Sequence, residues 1–176
     1  MRSIMCRYLL KPTLGDDLAF NYSCARDLFD AARDASIDRE AASRQLRNLD
    51  SRRFSTARRT DGTPSSHAPS DGAAASVAFL DFEAAARRRI SEDDALLRLA
   101  TSVLYGTDGT GGAASLLTPS HADVVFRRYV SAYTWDKAAA VCNVAPATAK
   151  RMASGLFDVV DAYGFERAVD GAGIAM

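Results

Sequence analysis

The chain has 176 residues, of which 48% are hydrophobic, so it is long enough for one domain or two small ones and apolar enough to form a core. This composition excludes a wholly disordered protein. Its 22 basic and 22 acidic residues cancel, which excludes a whole-molecule field that would draw the protein to nucleic acid, so any DNA contact must be local.

The cysteines and the apolar segments bear on compartment and cofactors. Cys6, Cys24 and Cys142 are widely spaced and include no CxxC pair, a pattern that predicts no metal site and indicates a reducing compartment. Arg7 interrupts the short apolar run at the start, so no signal peptide is predicted. No stretch reaches the roughly 18 to 20 apolar residues that cross a bilayer. We therefore expect a cytoplasmic protein with no cofactor and no membrane partner.

The N-terminal segment, residues 1–55, is predicted to be helical. Apolar residues at helical spacing indicate one helix over about residues 16–35 and a second that begins at Ser36 or Asp38. The pair predicts an antiparallel hairpin or the start of a coiled coil. The residues expected to face inward are Leu18, Tyr22, Ala25 and Phe29 in the first helix and Ile37, Ala42, Leu46 and Leu49 in the second.

Charge is unevenly distributed along the first two thirds of the chain. Residues 1–60 hold 12 basic and 8 acidic side chains, about +4, whereas residues 61–112 hold 4 and 8, about −4. This difference permits electrostatic docking between the two blocks or with a partner, and ordinary solvated helix faces are the alternative.

Residues 56–76 are rich in Ser, Gly, Pro and Asp and almost free of large apolar side chains, which predicts a flexible linker. Residues 77–112 are predicted to hold connecting helices and a glycine-rich loop. One helix contains Phe79 to Ile90, another begins at Ser91, and Gly106 is placed to end it in a left-handed cap. The loop sequence GTDGTGG follows a helix and lacks the GK[ST] ending, so it does not predict a nucleotide site.

The C-terminal segment, residues 113–176, is predicted to form three helices. The first begins after Thr118, the second after the N-cap Thr134, and the third runs from Pro146 to about Tyr163, with Gly164 beyond its end. No segment alternates apolar and polar residues as a strand would. We therefore predict an all-α fold.

The sequence TWDKAAAVCNVAPATAKRMASGL, residues 134–156, predicts a helix-turn-helix within this unit. Asn143 tolerates a left-handed backbone at the turn, and Pro146 suits a first helical turn. Thr148, Lys150 and Arg151 lie near the start of the second helix, where a recognition helix presents side chains to the major groove.

The stretch LTPSHADVVFRRYVSAYTWDKAAAVCNVAPATAKRMASGLFDVVDAYG resembles region 4 of sigma-70-type factors. The tryptophan after the cap, the upstream VLYGTDGTGG and the ending DVVDAYG are more narrowly similar to the region 4-like regulators of phages and prophages, the ArpU-like group. Ala145 and Asn143 depart from the serine and glycine usual at their positions. The resemblance implies groove-facing residues Pro146, Ala147, Thr148, Lys150, Arg151 and Ser154, with Thr134, Trp135 and Lys137 placed on the DNA backbone.

These features together predict a sequence-specific, double-stranded-DNA-binding transcriptional regulator of phage or prophage type, and the resemblance adds RNA polymerase as a partner. The chain shows no sigma region 2, so we do not expect a complete sigma factor. The alternatives are a DNA-packaging protein similar to small terminase subunits, or a helical protein-interaction module. A second copy of the chain, in a homo-oligomer, is a further candidate partner. No enzyme is predicted, because His121 has no evident nucleophile and the carboxylates lie on amphipathic surfaces.

Overall fold

A computed structural model describes residues 22–57 and 72–171. All regular structure in these two ranges is helical and neither contains a strand, so the predicted all-α class is confirmed there. A π-helical turn, Phe126–Val130, continues the fourth helix. The helices are α1 (Ala25–Ala57), α2 (Gly72–Tyr105), α3 (Gly112–Leu116), α4 (Pro119–Val125), α5 (Trp135–Val141), α6 (Pro146–Tyr163) and α7 (Phe165–Asp170).

The N-terminal segment forms one long helix where two were predicted. α1 continues through Ser36 and Asp38 without a break. Serine and aspartate cost only a few tenths of a kcal/mol in a helix interior, and tertiary packing of one face, here through Ala35 and Ala42, outweighs that cost. Ile37 was expected to face inward, which is wrong, because its side chain is 43% exposed.

The second long helix is also unbroken, so the predicted start at Ser91 is wrong. α2 pairs with α1, and Arg39 Nη1 lies 3.0 Å from Asp94 Oδ1 across the pair. The first turns of α1 and the last turns of α2 share one buried cluster, so the two helices run antiparallel. The hairpin is therefore formed by α1 with α2, not within residues 16–55.

The predicted linker, residues 56–76, is wrong at both ends, because residues 56–57 belong to α1 and residues 72–76 belong to α2. Residues 58–71, with His67, lie outside the described residues, as do Cys6 and Leu18. The predicted cap at Gly106 is confirmed: its φ is 78° and its N–H donates to the Ser102 carbonyl at 2.7 Å. The glycine-rich loop returns closely onto α2, where a Cβ on Gly112 would collide with the backbone of Leu104.

One buried cluster joins the two long helices to the C-terminal helices. Phe29 of α1 stacks on Phe157 of α6 with ring centroids 5.4 Å apart, and Tyr129 packs edge-on against Phe157 at 5.5 Å. The C-terminal helices thus share their core with α1 and α2. The largest contributors are Leu28, Phe29, Leu97, Val103, Leu104, Val125, Tyr129, Leu156, Phe157 and Val160.

Candidate nucleic-acid interface

A tight turn at Asn143 joins α5 to α6. Asn143 has a φ of 54°, and its N–H donates to the Ala140 carbonyl at 3.2 Å, while the Val144 N–H donates to the Ala139 carbonyl at 3.0 Å. This pair of bonds is the Schellman arrangement, with asparagine in the left-handed position that usually selects glycine. The predicted left-handed backbone at Asn143 is confirmed. The turn holds α5 and α6 in a fixed relation.

The starts of α5 and α6 differ in how they are capped. The Thr134 hydroxyl accepts a hydrogen bond from the Lys137 N–H at 3.3 Å, as predicted. Ala145 makes no side-chain cap to α6, and Pro146 occupies the first helical turn. Because proline has no N–H, it leaves one fewer donor to be satisfied at this uncapped end.

One face of α6 is buried and the opposite face is open to solvent. Ala149 packs with Val124 and Ala139 in a small second cluster that fixes α6 against α4 and α5. Thr148 is half-buried, and its Oγ1 lies 3.5 Å from Arg151 Nη2. Among the described residues, no carboxylate forms an ion pair with Lys150 or Arg151. The exposed candidates are Pro146, Ala147, Lys150, Arg151 and Ser154.

The three residues expected at the DNA backbone lie at the start of α5, and two of them contact other aromatic or basic groups. Thr134 and Lys137 are exposed, and Lys137 Nζ lies 3.9 Å from the centroid of the Tyr133 ring. Trp135 is half-buried and packs edge-on against Tyr129, with centroids 6.1 Å apart. The Trp135 ring therefore anchors α5 to the core. Its effect on a contact with the DNA backbone would be indirect, because it orients Thr134 and Lys137.

Arg128 also lies beside the start of α5, and the sequence did not predict it as a site residue. Its guanidinium lies 5.1 Å from the Trp135 ring centroid, and Nη1 donates to the Tyr133 carbonyl at 2.8 Å. Burial lowers the pKa of Arg128, and the neighbouring positive charge of Arg33 lowers it further. The consecutive pair Arg127–Arg128 before the loop was the available signal.

The backbone between α4 and α5 sets the position of Arg128. In the π-helical turn the Ser131 N–H donates to the Phe126 carbonyl at 2.9 Å, and Ala132 follows with a φ of 53°. Such turns insert one extra residue into a helix and shift the side chains that follow. Sequence periodicity does not reveal this shift, which explains why the contact between Arg128 and Trp135 was missed.

Two polar groups on the inner side of the interface are held in their neutral forms. Tyr105 donates a hydrogen bond from its hydroxyl to Asp123 Oδ1 at 2.6 Å, and burial, followed by this bond, raises the pKa of Tyr105 far above its usual value. Burial also raises the pKa of the Cys142 thiol, which packs partly buried in the second cluster. The raised pKa disfavours the thiolate form, and Cys142 packs as a small apolar side chain beside Val124, Ala139 and Ala149.

Within residues 22–57 and 72–171, no three His, Cys, Asp or Glu side chains come together in a way that could hold a metal ion. No helix in the same part of the chain combines the length and the apolar character needed to cross a membrane. No protein-family model, curated protein or solved structure matches the chain. Function is therefore inferred from the geometry of α5, α6 and the residues around them.

Proposed function

We propose that the protein is a sequence-specific DNA-binding transcriptional regulator of phage or prophage type, in which α6 enters the major groove of double-stranded DNA. The observation that carries this proposal is the open first half of α6. Lys150 and Arg151 are exposed there and lack carboxylate partners among the described residues, while the opposite face of the helix is locked into the core. A helix held in this way can present its N-terminal residues to base edges.

The side chains on this face suit direct base readout. Arg151 can place its guanidinium fork on guanine, and Lys150 can reach guanine or phosphate. The methyl groups of Ala147 and Thr148 can contact the methyl group of thymine. Pro146 and Ser154 complete the face on either side. Thr134 and Lys137, at the start of α5, would contact the phosphate backbone and fix the register, with Trp135 holding them in place.

The resemblance of residues 117–164 to region 4 of sigma-70-type factors supports transcription as the process served. In this proposal RNA polymerase is the protein partner, and the pair of long helices carries either that contact or self-association. These helices share a core with α6, so a partner bound to them would be rigidly connected to the groove-facing residues.

The test is a gel-shift assay at fixed salt with duplexes selected from a random pool by the wild-type protein. The double variant Lys150→Ala/Arg151→Ala is expected to lose roughly 10- to 100-fold in affinity for the selected site, since one good base contact contributes about 1–3 kcal/mol. The matched control, Arg88→Ala/Arg89→Ala, removes the same charge from exposed positions on α2 and should bind normally. Equal losses in both variants would contradict the recognition-helix assignment.

The second candidate function is DNA packaging by an oligomer, as in small terminase subunits, or protein interaction through the helical hairpin. Exposed apolar side chains on α2 favour it: Val77 is 57% exposed, Leu80 55% and Phe82 48%. Such residues are common in surfaces that pair with another chain. Native mass measurement separates the candidates, because a closed ring of many subunits indicates packaging, whereas a monomer or dimer indicates promoter regulation.

A further inference from the structure

Helix α1 brings a second arginine to the edge where α5 begins. Phe29 of α1 packs against Tyr129 of the π-helical turn with ring centroids 6.1 Å apart, which brings Arg33, one helical turn after Phe29, to the same region as Arg128, the neighbour of Tyr129. The charge of Arg33 accordingly lowers the pKa of the Arg128 guanidinium, after the larger effect of burial. The charges of both arginines also act on Tyr129. Burial raises the pKa of Tyr129, and the two positive charges oppose that rise. Two like charges from distant parts of the sequence are thus held together beside one buried aromatic ring.

These two guanidinium groups have unused hydrogen-bonding capacity. The Nε atoms of Arg33 and Arg128 are buried and have no hydrogen-bond partner. Neither side chain forms an ion pair with a carboxylate within the described ranges, although the charge of Asp30 is felt at Arg128. Positive charges that are partly removed from water and have no directly bonded counter-charge are costly. The Nε atoms are closed to solvent, but both side chains are only half-buried, so an anion that bridges their Nη groups would supply negative charge and acceptors to the pair.

The chemistry of the pair indicates which anion fits. A guanidinium group presents its N–H donors in a planar fork that matches the oxygens of a phosphate, and such bonds are stronger than those between neutral groups. Arg128 spends one donor on the Tyr133 carbonyl, so most of its five N–H groups stay free. A phosphate ester is therefore a suitable ligand for this edge.

We propose that Arg33 and Arg128 together bind a phosphate of the DNA backbone, so that α1 forms part of the DNA-binding surface. This inference rests on the proposed function and adds the N-terminal helix to it. The position of the pair supports DNA as the source of the phosphate. Arg128 lies over the ring of Trp135, the residue after Thr134, and Lys137 lies over the ring of Tyr133 at the same end of α5. Arg33, Arg128 and Lys137 thus extend the positive edge of α5 toward α1.

The experiment measures duplex affinity as a function of salt concentration for the full chain. Arg33→Gln is the informative variant, because Arg128 also holds the loop carbonyl and its loss would disturb the fold. Removing one phosphate contact should reduce the slope of log K against log salt by about 0.9 and weaken all duplex sequences alike. Arg33→Lys, which keeps the charge, should retain most of the slope. Arg44→Gln, an exposed position farther along α1, is the matched control and should behave as wild type.

Failure of this inference and failure of the proposed function give different results. The phosphate site would be overturned if Arg33→Gln kept the wild-type slope of log K against log salt. If Lys150→Ala/Arg151→Ala were still impaired in the same assay, the recognition-helix assignment would stand. A wild-type protein that binds no duplex would overturn both. Trp135 is the single tryptophan of the chain, so its fluorescence reports occupation by inorganic phosphate. A fluorescence response to inorganic phosphate together with an unchanged DNA slope would assign a free anion and overturn the DNA contact.

Discussion

The backbone N–H of Ala25 donates a hydrogen bond to Asp161 Oδ1 at 2.6 Å, which joins the first residue of α1 to the last turns of α6. The carboxylate satisfies one of the four free N–H groups at the start of a long helix and lies at its positive end. The helix proposed to read DNA therefore also caps the helix that supplies Arg33. This bond makes the orientation of α1 depend on α6.

Asp161→Ala is expected to lower the free energy of unfolding by about 1 kcal/mol, the usual cost of losing a helix N-cap. Urea denaturation measures the change. Asp158→Ala removes an exposed carboxylate from the same helix and serves as the control, with little expected effect. Equal destabilisation by the two variants would show that the Ala25 bond contributes nothing.

Phe157→Ala should destabilise the protein by about 3–5 kcal/mol, because it removes a large side chain from the shared core. Phe157 stacks on Phe29 and packs against Tyr129, and Arg26 lies 5.3 Å from its ring centroid. Phe82→Ala, at a position 48% exposed, should change stability far less. If the long helices and the C-terminal helices unfold together, as the shared core implies, circular dichroism and Trp135 fluorescence will show one coincident transition. Two separate transitions would contradict that expectation.

Substitutions at Asn143 test the turn between α5 and α6. Asn143→Gly should be neutral or slightly stabilising, because glycine adopts the observed φ of 54° without steric cost. Asn143→Ala should lose about 1–2 kcal/mol, since a left-handed backbone is unfavourable for a residue with a Cβ and no local hydrogen-bonding group. Thermal melting of both variants checks the difference. Equal stability of the alanine and glycine variants would argue against the left-handed turn.

Four carboxylates between α1 and α2, those of Asp38, Glu92, Asp93 and Asp94, should make the stability of the fold depend on pH. Burial, and then the charges of Asp38, Glu92 and Asp94, raise the pKa of Asp93 from 3.8 to about 6, while Arg39 opposes the shift. Asp93 binds its proton more tightly in the folded protein than in the unfolded one. Stability from this group is therefore greatest below its unfolded pKa and falls as the pH rises from about 4 to about 6.

Asp93→Asn should remove that pH-dependent loss and be more stable than wild type near neutral pH. Urea denaturation across the acidic range is the measurement. Asp94→Asn is the contrasting variant, because it breaks the ion pair with Arg39 and should not stabilise the fold. A steeper fall in stability for Asp93→Asn than for wild type, as the pH rises, would contradict the assignment.

The features that were predictable from the sequence are those fixed by neighbouring residues. Thr134 as a cap, Asn143 in a left-handed turn, Pro146 at a first turn and Gly106 at a helix end all depend on local backbone chemistry. The all-α class followed from the spacing of apolar residues along the chain. These signals do not depend on the rest of the fold, which is why they could be read without it.

The features that were missed depend on contacts between distant parts of the chain. Ser36 and Ser91 are good cap residues, but packing between α1 and α2 overrides their weak preference. Arg33 and Arg128 come together only because Phe29 and Tyr129 share one core. The π-helical turn that positions Arg128 leaves no trace in the apolar spacing. The proposed contribution of Arg33, on α1, to the candidate site was therefore beyond sequence reasoning.

The unbroken course of α1 turns it into a spacer of defined length. From Ala32, in the shared core, to Ala57 at its end, the helix extends roughly 38 Å at 1.5 Å per residue. That distance is close to one turn of the double helix, about 34–36 Å. In the proposed complex, a protein bound at the far tip of α1 would be held roughly 38 Å from the shared core, a distance comparable to one turn of duplex.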